Sequence, residues 1–365
     1  MTTRADALPA ETHAARPAAS YRTNLITWLV SAWFTVGLFL DAWAHNNVPE
    51  LETFFTLWHA VYYSGFAATA GWLLWTCRGM LRTRRWDPAS VPVGYAPALV
   101  ALAGFSLAAV GDLTWHEVFG IEQSIDILFS PTHLVLGASM LVIVTTPLRS
   151  AWADRSLPRE PGLLRIFPAV GALSLATTIV LLFLQYANAY TYSGVDIVVA
   201  LSGVDERRTS EVVSAIAVTN LVLLVPLLLL LRRWSLPLGG ITLLYLAIAT
   251  LSGAVTGFTN VAVLVSLVLA GAGVDLLTRL VLRPNPARRL SVATFAAVVP
   301  LATWIAYVAV AAATPRPVFL GPDGSTHGTD GMIELYAGVP VLQAALGVLI
   351  AVVMVLMAGN NDRSC

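Results

Sequence analysis

Acidic and histidine side chains recur at matched spacings in the first third of the chain. In each of two segments, Asp and His stand four residues apart, and an acid and a second His follow seven residues apart. The residues are Asp41, His45, Glu52 and His59 in the first segment and Asp112, His116, Asp126 and His133 in the second. Phe-Thr or Phe-Ser ends three residues before the last His of each copy. So many matches indicate an internal repeat.

This set of side chains suits one or two transition-metal ions, because imidazole nitrogens and carboxylate oxygens are metal ligands. On a helix, residues four apart lie on one face, so each Asp-x3-His pair can converge on one point. The predicted metal ligands are Asp41, His45, His59, Asp112, His116 and His133, and the predicted proton-moving catalytic residues are Glu52, Glu122 and Asp126. The repeat also predicts that both copies contribute to one shared centre. A proton relay, a polar structural network and haem ligation remain open.

The helix that carries His133 can begin in two places. A helix over residues 125–147 would put two turns between Asp126 and His133. Ser130 followed by Pro131 instead resembles an N-cap with proline at the first helical position, which would leave Asp126 in the preceding loop. In both cases the last His of each copy lies near the start of a helix. His327, in a later loop, is a further candidate ligand or a solvated loop histidine.

Composition predicts that membrane helices position these residues. The chain is 57% hydrophobic and 12% charged, and its apolar residues form blocks of about 20, enough for a helix to cross ~30 Å of hydrocarbon. We predict an all-α polytopic transmembrane helical bundle with about ten spans. The predicted spans are 24–45, 53–76, 95–116, 125–147, 163–188, 211–231, 237–258, 260–281, 291–313 and 333–358. The seventh and eighth could instead form one re-entrant unit.

Arginine predicts the orientation, because cytoplasmic loops retain positive charge. With both termini inside, only Arg207, Arg208 and Arg316 of the 21 basic residues lie outside. The Asp/His ends then face the extracytoplasmic side of the plasma membrane. Cys77 and Cys365 fall on the cytoplasmic side, so no structural disulfide is expected. Lysine is absent, which excludes a retinal Schiff base and a lysine nucleophile.

The predicted organisation has three parts. Residues 1–22 form a disordered cytoplasmic N-terminus, residues 23–147 a four-helix duplicated metal-site module, and residues 148–365 a six-helix membrane module. The lipid bilayer is the predicted partner, and no nucleic-acid partner is expected.

A family resemblance rests on the two Asp-x3-His…His motifs. They resemble the metal motif in the membrane C subunit of the copper-dependent particulate methane and ammonia monooxygenases. In that family the motif occurs once, with a slightly shorter second gap and with partner subunits, whereas here it occurs twice in one chain. The resemblance covers about twenty residues per copy and implies copper and oxidation of a small apolar substrate. More broadly, the chain resembles polytopic membrane proteins of actinobacterial type.

Three classes of function stay open. The first is a metal-dependent membrane oxidoreductase or monooxygenase, with copper as the expected metal and iron or zinc as alternatives. Because no nucleotide-binding or haem-attachment motif is found, its electrons would come from a quinol or a partner protein. The second is a zinc-type hydrolase acting on membrane lipid. The third is a protein that transports or stores metal without chemistry.

Overall fold

The computed structural model describes residues 17–48, 55–82, 90–120, 128–285, 288–321 and 324–361. Within these ranges the predicted all-α class is confirmed. The helices, numbered along the chain, are α1 (Tyr21–Asn47), α2 (Leu57–Thr76), α3 (Arg78–Arg82), α4 (Ala96–Phe119), α5 (Pro131–Val144), α6 (Thr146–Ala153), α7 (Leu163–Phe183), α8 (Gly194–Ser202), α9 (Glu206–Arg233), α10 (Gly240–Val255), α11 (Val261–Leu277), α12 (Arg289–Ala313) and α13 (Ile333–Asn361). A hairpin of β1 (Val318–Leu320) and β2 (Thr326–Gly328), which the sequence did not predict, precedes α13.

Eight helical segments of the described residues are long and apolar enough to cross a membrane. They are α1, α4, α5 joined to α6, α7, α9, α11 with the π turn that follows it, α12 and the apolar part of α13. The other two predicted spans are also helices but do not meet this standard. α2 carries His59, Tyr62 and Tyr63 among its apolar residues, and α10 has 16 residues, or about 24 Å. A multi-pass membrane protein is therefore supported, while the count of ten spans stays a prediction.

Helices α1 and α2 form a tight antiparallel pair. A Cβ atom on Gly37 would lie 2.7 Å from the Tyr62 Cα atom, and one on Gly65 would lie 2.6 Å from the Phe34 Cα atom. Only glycine at these two positions permits such close contact of the two backbones. The pairing places the end of α1 beside the start of α2, where Asp41 and His59 lie.

The second helix pair, α4 and α5, packs beside the first. Phe105 of α4 contacts Phe34, Tyr62 and Phe66, with ring centroids 5.1, 5.9 and 4.2 Å away. Helix α7 covers this core with Leu175, Ala176 and Ile179 but also contributes Leu181 to the core of the later helices. The predicted module boundary after residue 147 falls inside α6.

The N-terminal part of the chain joins the bundle earlier than predicted. Helix α1 begins at Tyr21, and the Ser20 side chain caps it by accepting from the Thr23 N–H. The Val93 N–H also donates to the Pro17 carbonyl, which ties the residues before α1 to the loop before α4. The rest of the predicted disordered segment, residues 1–16, lies outside the described residues.

The arginines predicted to lie outside are all neutralised by acids. Arg207 pairs with Glu211 at 2.9 Å, Arg208 lies 3.6 Å from Asp196 and 3.8 Å from Asp205, and Arg316 pairs with Asp330. Among the arginines whose side chains the structure describes, no other forms an ion pair with a described carboxylate. This difference agrees with the predicted orientation, in which unneutralised positive charge stays on the cytoplasmic side.

Engineered cysteines test the orientation. The native Cys77 thiol is buried and cannot serve as a reporter, so the variants are made in a Cys365→Ser background. Thr326→Cys, on the exposed β2 strand, should react with a membrane-impermeant thiol reagent in intact cells. Ser156→Cys, exposed between α6 and α7, should react only after the membrane is opened. The opposite labelling pattern would put the Asp/His ends on the cytoplasmic face.

Candidate metal site

The first Asp/His triad joins the end of α1 to the start of α2. The Asp41 Oδ2 atom lies 3.9 Å from His45 Nε2 and 3.6 Å from His59 Nε2. Asp41 and His45 face the same point because they are four residues apart on α1. His59 reaches that point from the first turn of α2 because the two helices are antiparallel. Asp41 and His59 are buried.

The second triad repeats this arrangement on α4 and α5. The Asp112 Oδ2 atom lies 3.6 Å from His116 Nε2, and its Oδ1 atom lies 3.3 Å from His133 Nδ1. The Thr132 hydroxyl donates to Asp112 Oδ1 at 2.9 Å. Asp112 is only 2% exposed, so its carboxylate is almost wholly removed from solvent and lipid.

The spacing within each triad fits a bound ion. In both triads, one ligand atom from each of the three residues lies within 4.8 Å of the other two. A tetrahedral ion with ligands at about 2.1 Å separates those ligands by about 3.4 Å. Three of the carboxylate-to-imidazole separations, those of His45, His59 and His116, are 3.6 to 3.9 Å, close to this value and longer than ordinary hydrogen bonds. The structure thus brings all six predicted ligands together in two groups that could each hold a metal.

The two triads adjoin one cavity. The rings of His59 and His116 are 6.5 Å apart between centroids, which joins the two helix pairs at the contact of α2 with α4. A cavity of about 30 Å³ is lined by Asp41 and His59 from the first triad and by Asp112 and His133 from the second. Such a space is large enough for about one water-sized ligand. The two copies therefore adjoin one cavity, while their contribution to one shared metal centre stays a prediction.

Electrostatics also favour a cation in this place. Asp41 and Asp112 line the same cavity and are both buried, so two negative charges here would repel each other at low dielectric. A cation between them would offset this repulsion.

A hydroxyl residue caps each of the helices that carry the last His of the repeat. Thr56 Oγ1 accepts from the His59 N–H at 3.1 Å and lies 3.1 Å from His59 Nδ1. Ser130 Oγ accepts from the His133 N–H at 3.2 Å and lies 2.6 Å from His133 Nδ1. In each helix, one hydroxyl oxygen therefore caps the first turn and contacts the imidazole ring of the His. The His occupies the third helical position, which Glu takes in a capping box. The predicted cap at Ser130, with Pro131 in the first turn, is confirmed.

The three predicted catalytic acids belong to the parts of the chain that the structure does not describe. Glu52, Glu122 and Asp126 all lie outside the described residues. Helix α2 begins only at Leu57 and α5 at Pro131, so two turns of α-helix do not connect either acid to its His. The roles of these three residues stay predictions.

His327 belongs to neither triad. It is exposed on β2, where its Nε2 atom lies 2.6 Å from the Ser325 hydroxyl. Thr132, which holds Asp112, was not predicted from the sequence, although its hydroxyl two residues after the Ser130 cap was an available signal. The ring of Tyr63, one of the aromatic residues that surround the motif in the sequence, stacks on His59 with centroids 6.2 Å apart.

No protein-family model, curated protein or solved structure matches the chain. The resemblance to the monooxygenase C subunit therefore rests on the spacing of Asp and His residues and stays a prediction. Function is inferred from the chemistry of the six side chains and of the cavity between them.

Loss of a capping hydroxyl should weaken metal binding and stability together. Ser130→Ala should cost about 1 kcal/mol of stability and lower metal affinity by about 10- to 100-fold, because the helix cap and the imidazole orientation are both lost. Ser193→Ala is a matched control, since Ser193 caps α8 away from the triads by accepting from the Asp196 N–H at 3.2 Å. Thermal unfolding and metal-competition titration would measure the two effects. Equal metal affinity in both variants would contradict the orienting role.

Proposed function

We propose that the protein is an integral membrane oxidoreductase whose two Asp/His triads hold a pair of redox-active metal ions. The observation that carries this proposal is that six ligand residues form two sets of three, and that two residues of each set line one small cavity, Asp41 and His59 from the first and Asp112 and His133 from the second. A single triad could be a structural network. Two sets of matching composition and spacing that share a cavity are better suited to two ions that act on one bound molecule.

The donor set favours copper or iron. Each triad offers two imidazoles and one carboxylate, which leaves coordination positions open for a substrate or water. Imidazole suits copper, iron and zinc, and the combination of two His and one carboxylate is the ligand set of non-haem iron oxygenases. Copper follows from the motif resemblance, whereas iron follows from the donor set itself. When bound, either ion would supply electron transfer, which zinc cannot.

The residues of the chain would act on ligands and protons. Asp41 and Asp112 would neutralise the charge of the ions, and the hydroxyls of Thr56 and Ser130 would hold two of the imidazole rings in place. The predicted acids Glu52, Glu122 and Asp126 would carry protons to the site. Electrons would come from a quinol or a partner protein.

The lining of the cavity supports a small apolar substrate. Beyond the triads it is formed by aliphatic and aromatic side chains, namely Leu38, Tyr62, Tyr63, Leu136, Met140 and Phe183. These groups exclude water from the ligand atoms and offer no further charge to bind a polar substrate. A cavity of about 30 Å³ admits only a small molecule unless the lining moves. Under the predicted orientation, the substrate would reach the site near the outer leaflet of the plasma membrane.

Metal content tests the proposal directly. Protein purified without chelator should contain two ions per chain. His45→Ala and His116→Ala should each reduce this to about one, and the double variant should contain none, because each change removes a ligand from one triad. His327→Ala is the matched control and should keep both ions, since its imidazole is exposed and lies outside the triads.

The same variants distinguish a metal site from a structural network. Folded yield should be unchanged in all of them, because the apolar helices hold the bundle independently of the site. Wild-type protein free of copper, iron, zinc and manganese would overturn the proposal. A loss of folded yield in the His45→Ala variant, with no metal to lose, would instead support a polar network.

The identity of the metal separates oxidation from hydrolysis. Copper or iron, seen by elemental analysis and by electron paramagnetic resonance, together with oxygen uptake on addition of a quinol, is the expected result. The oxygen uptake should disappear in the His45→Ala and His116→Ala double variant. Zinc at both triads would contradict an oxidoreductase and favour a hydrolase.

A further inference from the structure

A second cavity lies at the opposite end of the bundle from the Asp/His triads. It is a groove of about 1030 Å³, formed by residues 159–163, 235–238, 278–280 and 283–285. Helix α7 connects the two places, because Leu163 at its start lines the groove and Phe183 at its end lines the metal cavity. Its 21 residues correspond to about 30 Å, the thickness of the hydrocarbon core.

The groove is positively charged. Arg159, Arg279 and Arg283 line it, against the single acid Glu160. All four side chains are exposed, and none of the three arginines forms an ion pair with a described carboxylate. This contrasts with the other end of the bundle, where the arginines are paired. The predicted topology accounts for positive charge at this end of the bundle. It does not account for the fact that arginines from separate loops line one groove.

Backbone geometry adds to the positive character of the groove. Gly162, which lines it, is the N-cap of α7 and has no side chain to cap the helix. The first N–H groups of this long helix therefore lie at the groove without a side-chain acceptor. Together with guanidinium groups, such an N-terminus is a binding site for phosphate.

Apolar side chains stand beside these charges. Leu238 and Leu280 line the groove and are 58% and 61% exposed. A free phosphate ion would gain no binding energy from exposed leucine side chains. A phospholipid would use both parts, with its phosphate on the arginines and its acyl chains along the leucines.

We propose that this groove binds the phosphate headgroup of an anionic phospholipid. The site would hold a lipid of the leaflet opposite to the metal cavity, and it uses no residue of the triads. The proposal therefore does not depend on the proposed oxidoreductase function, and each can fail alone.

Native mass spectrometry of the full-length protein in detergent micelles tests the lipid site. Phosphatidylglycerol should bind in a saturable way and more tightly than phosphatidylcholine with the same acyl chains. The Arg279→Gln/Arg283→Gln variant should bind phosphatidylglycerol about 25-fold more weakly, at about fivefold for each arginine near the membrane surface. Arg159→Gln alone should weaken it about fivefold and serves as an independent second variant.

The matched control is Arg155→Gln/Arg232→Gln, which removes two exposed arginines that do not line the groove. It should bind phosphatidylglycerol like the wild type. Equal binding of the two lipids, or an equal loss in the control variant, would overturn the proposal, because the affinity would then reflect general surface charge. Inorganic phosphate is the last probe. If it alone bound as tightly as phosphatidylglycerol, the ligand would be a free phosphate and the lipid assignment would be wrong.

Discussion

Burial of the Asp41 and Asp112 carboxylates among apolar helices is the constraint on which the candidate metal site depends. Each would cost several kcal/mol as an isolated buried charge, so compensating groups must lie beside it. Two imidazoles reach each carboxylate, and the separations of His45, His59 and His116, at 3.6 to 3.9 Å, suit ligands of a common ion better than hydrogen-bonded pairs. The close backbone contacts at Gly37 and Gly65 follow from this requirement, because they bring the start of α2 beside the end of α1.

Duplication of the helix pair also covers the polar residues at the helix ends. A single helix pair would leave one side of its triad facing lipid. In the structure, α2 meets α4, so His59 of one copy lies against His116 of the other, and the apolar rings of Phe34 and Phe105 pack below them. Each copy therefore shields the polar residues of its partner, and the space between the two becomes a shared cavity.

Features encoded in short stretches of sequence could be predicted, and features that depend on packing could not. Apolar blocks predicted the helices, and the spacing of four predicted that Asp112 and His116 share a face. The spacing of seven residues between each acid and the last His did not predict a shared helix face. Thr56 and Ser130 cap their helices, so both helices begin after the acids. The hydrogen bond from Thr132 to Asp112 joins residues 20 apart, and the wall provided by Phe183 comes from another helix. Neither contact has a periodic signal in the sequence.

Charge is distributed along the bundle in a way that suits ligands of opposite sign at its two ends. The formal net charge of the chain is zero, so the difference lies in position rather than in amount. At the end that carries the triads, Arg207, Arg208 and Arg316 are each matched by an acid, and the buried carboxylates of Asp41 and Asp112 add negative charge that favours cations. At the other end, Arg279 and its neighbours have no described carboxylate partner and favour anions. The asymmetry that predicts the orientation of the chain would therefore also favour the proposed metal ions at one end and the proposed phosphate group at the other.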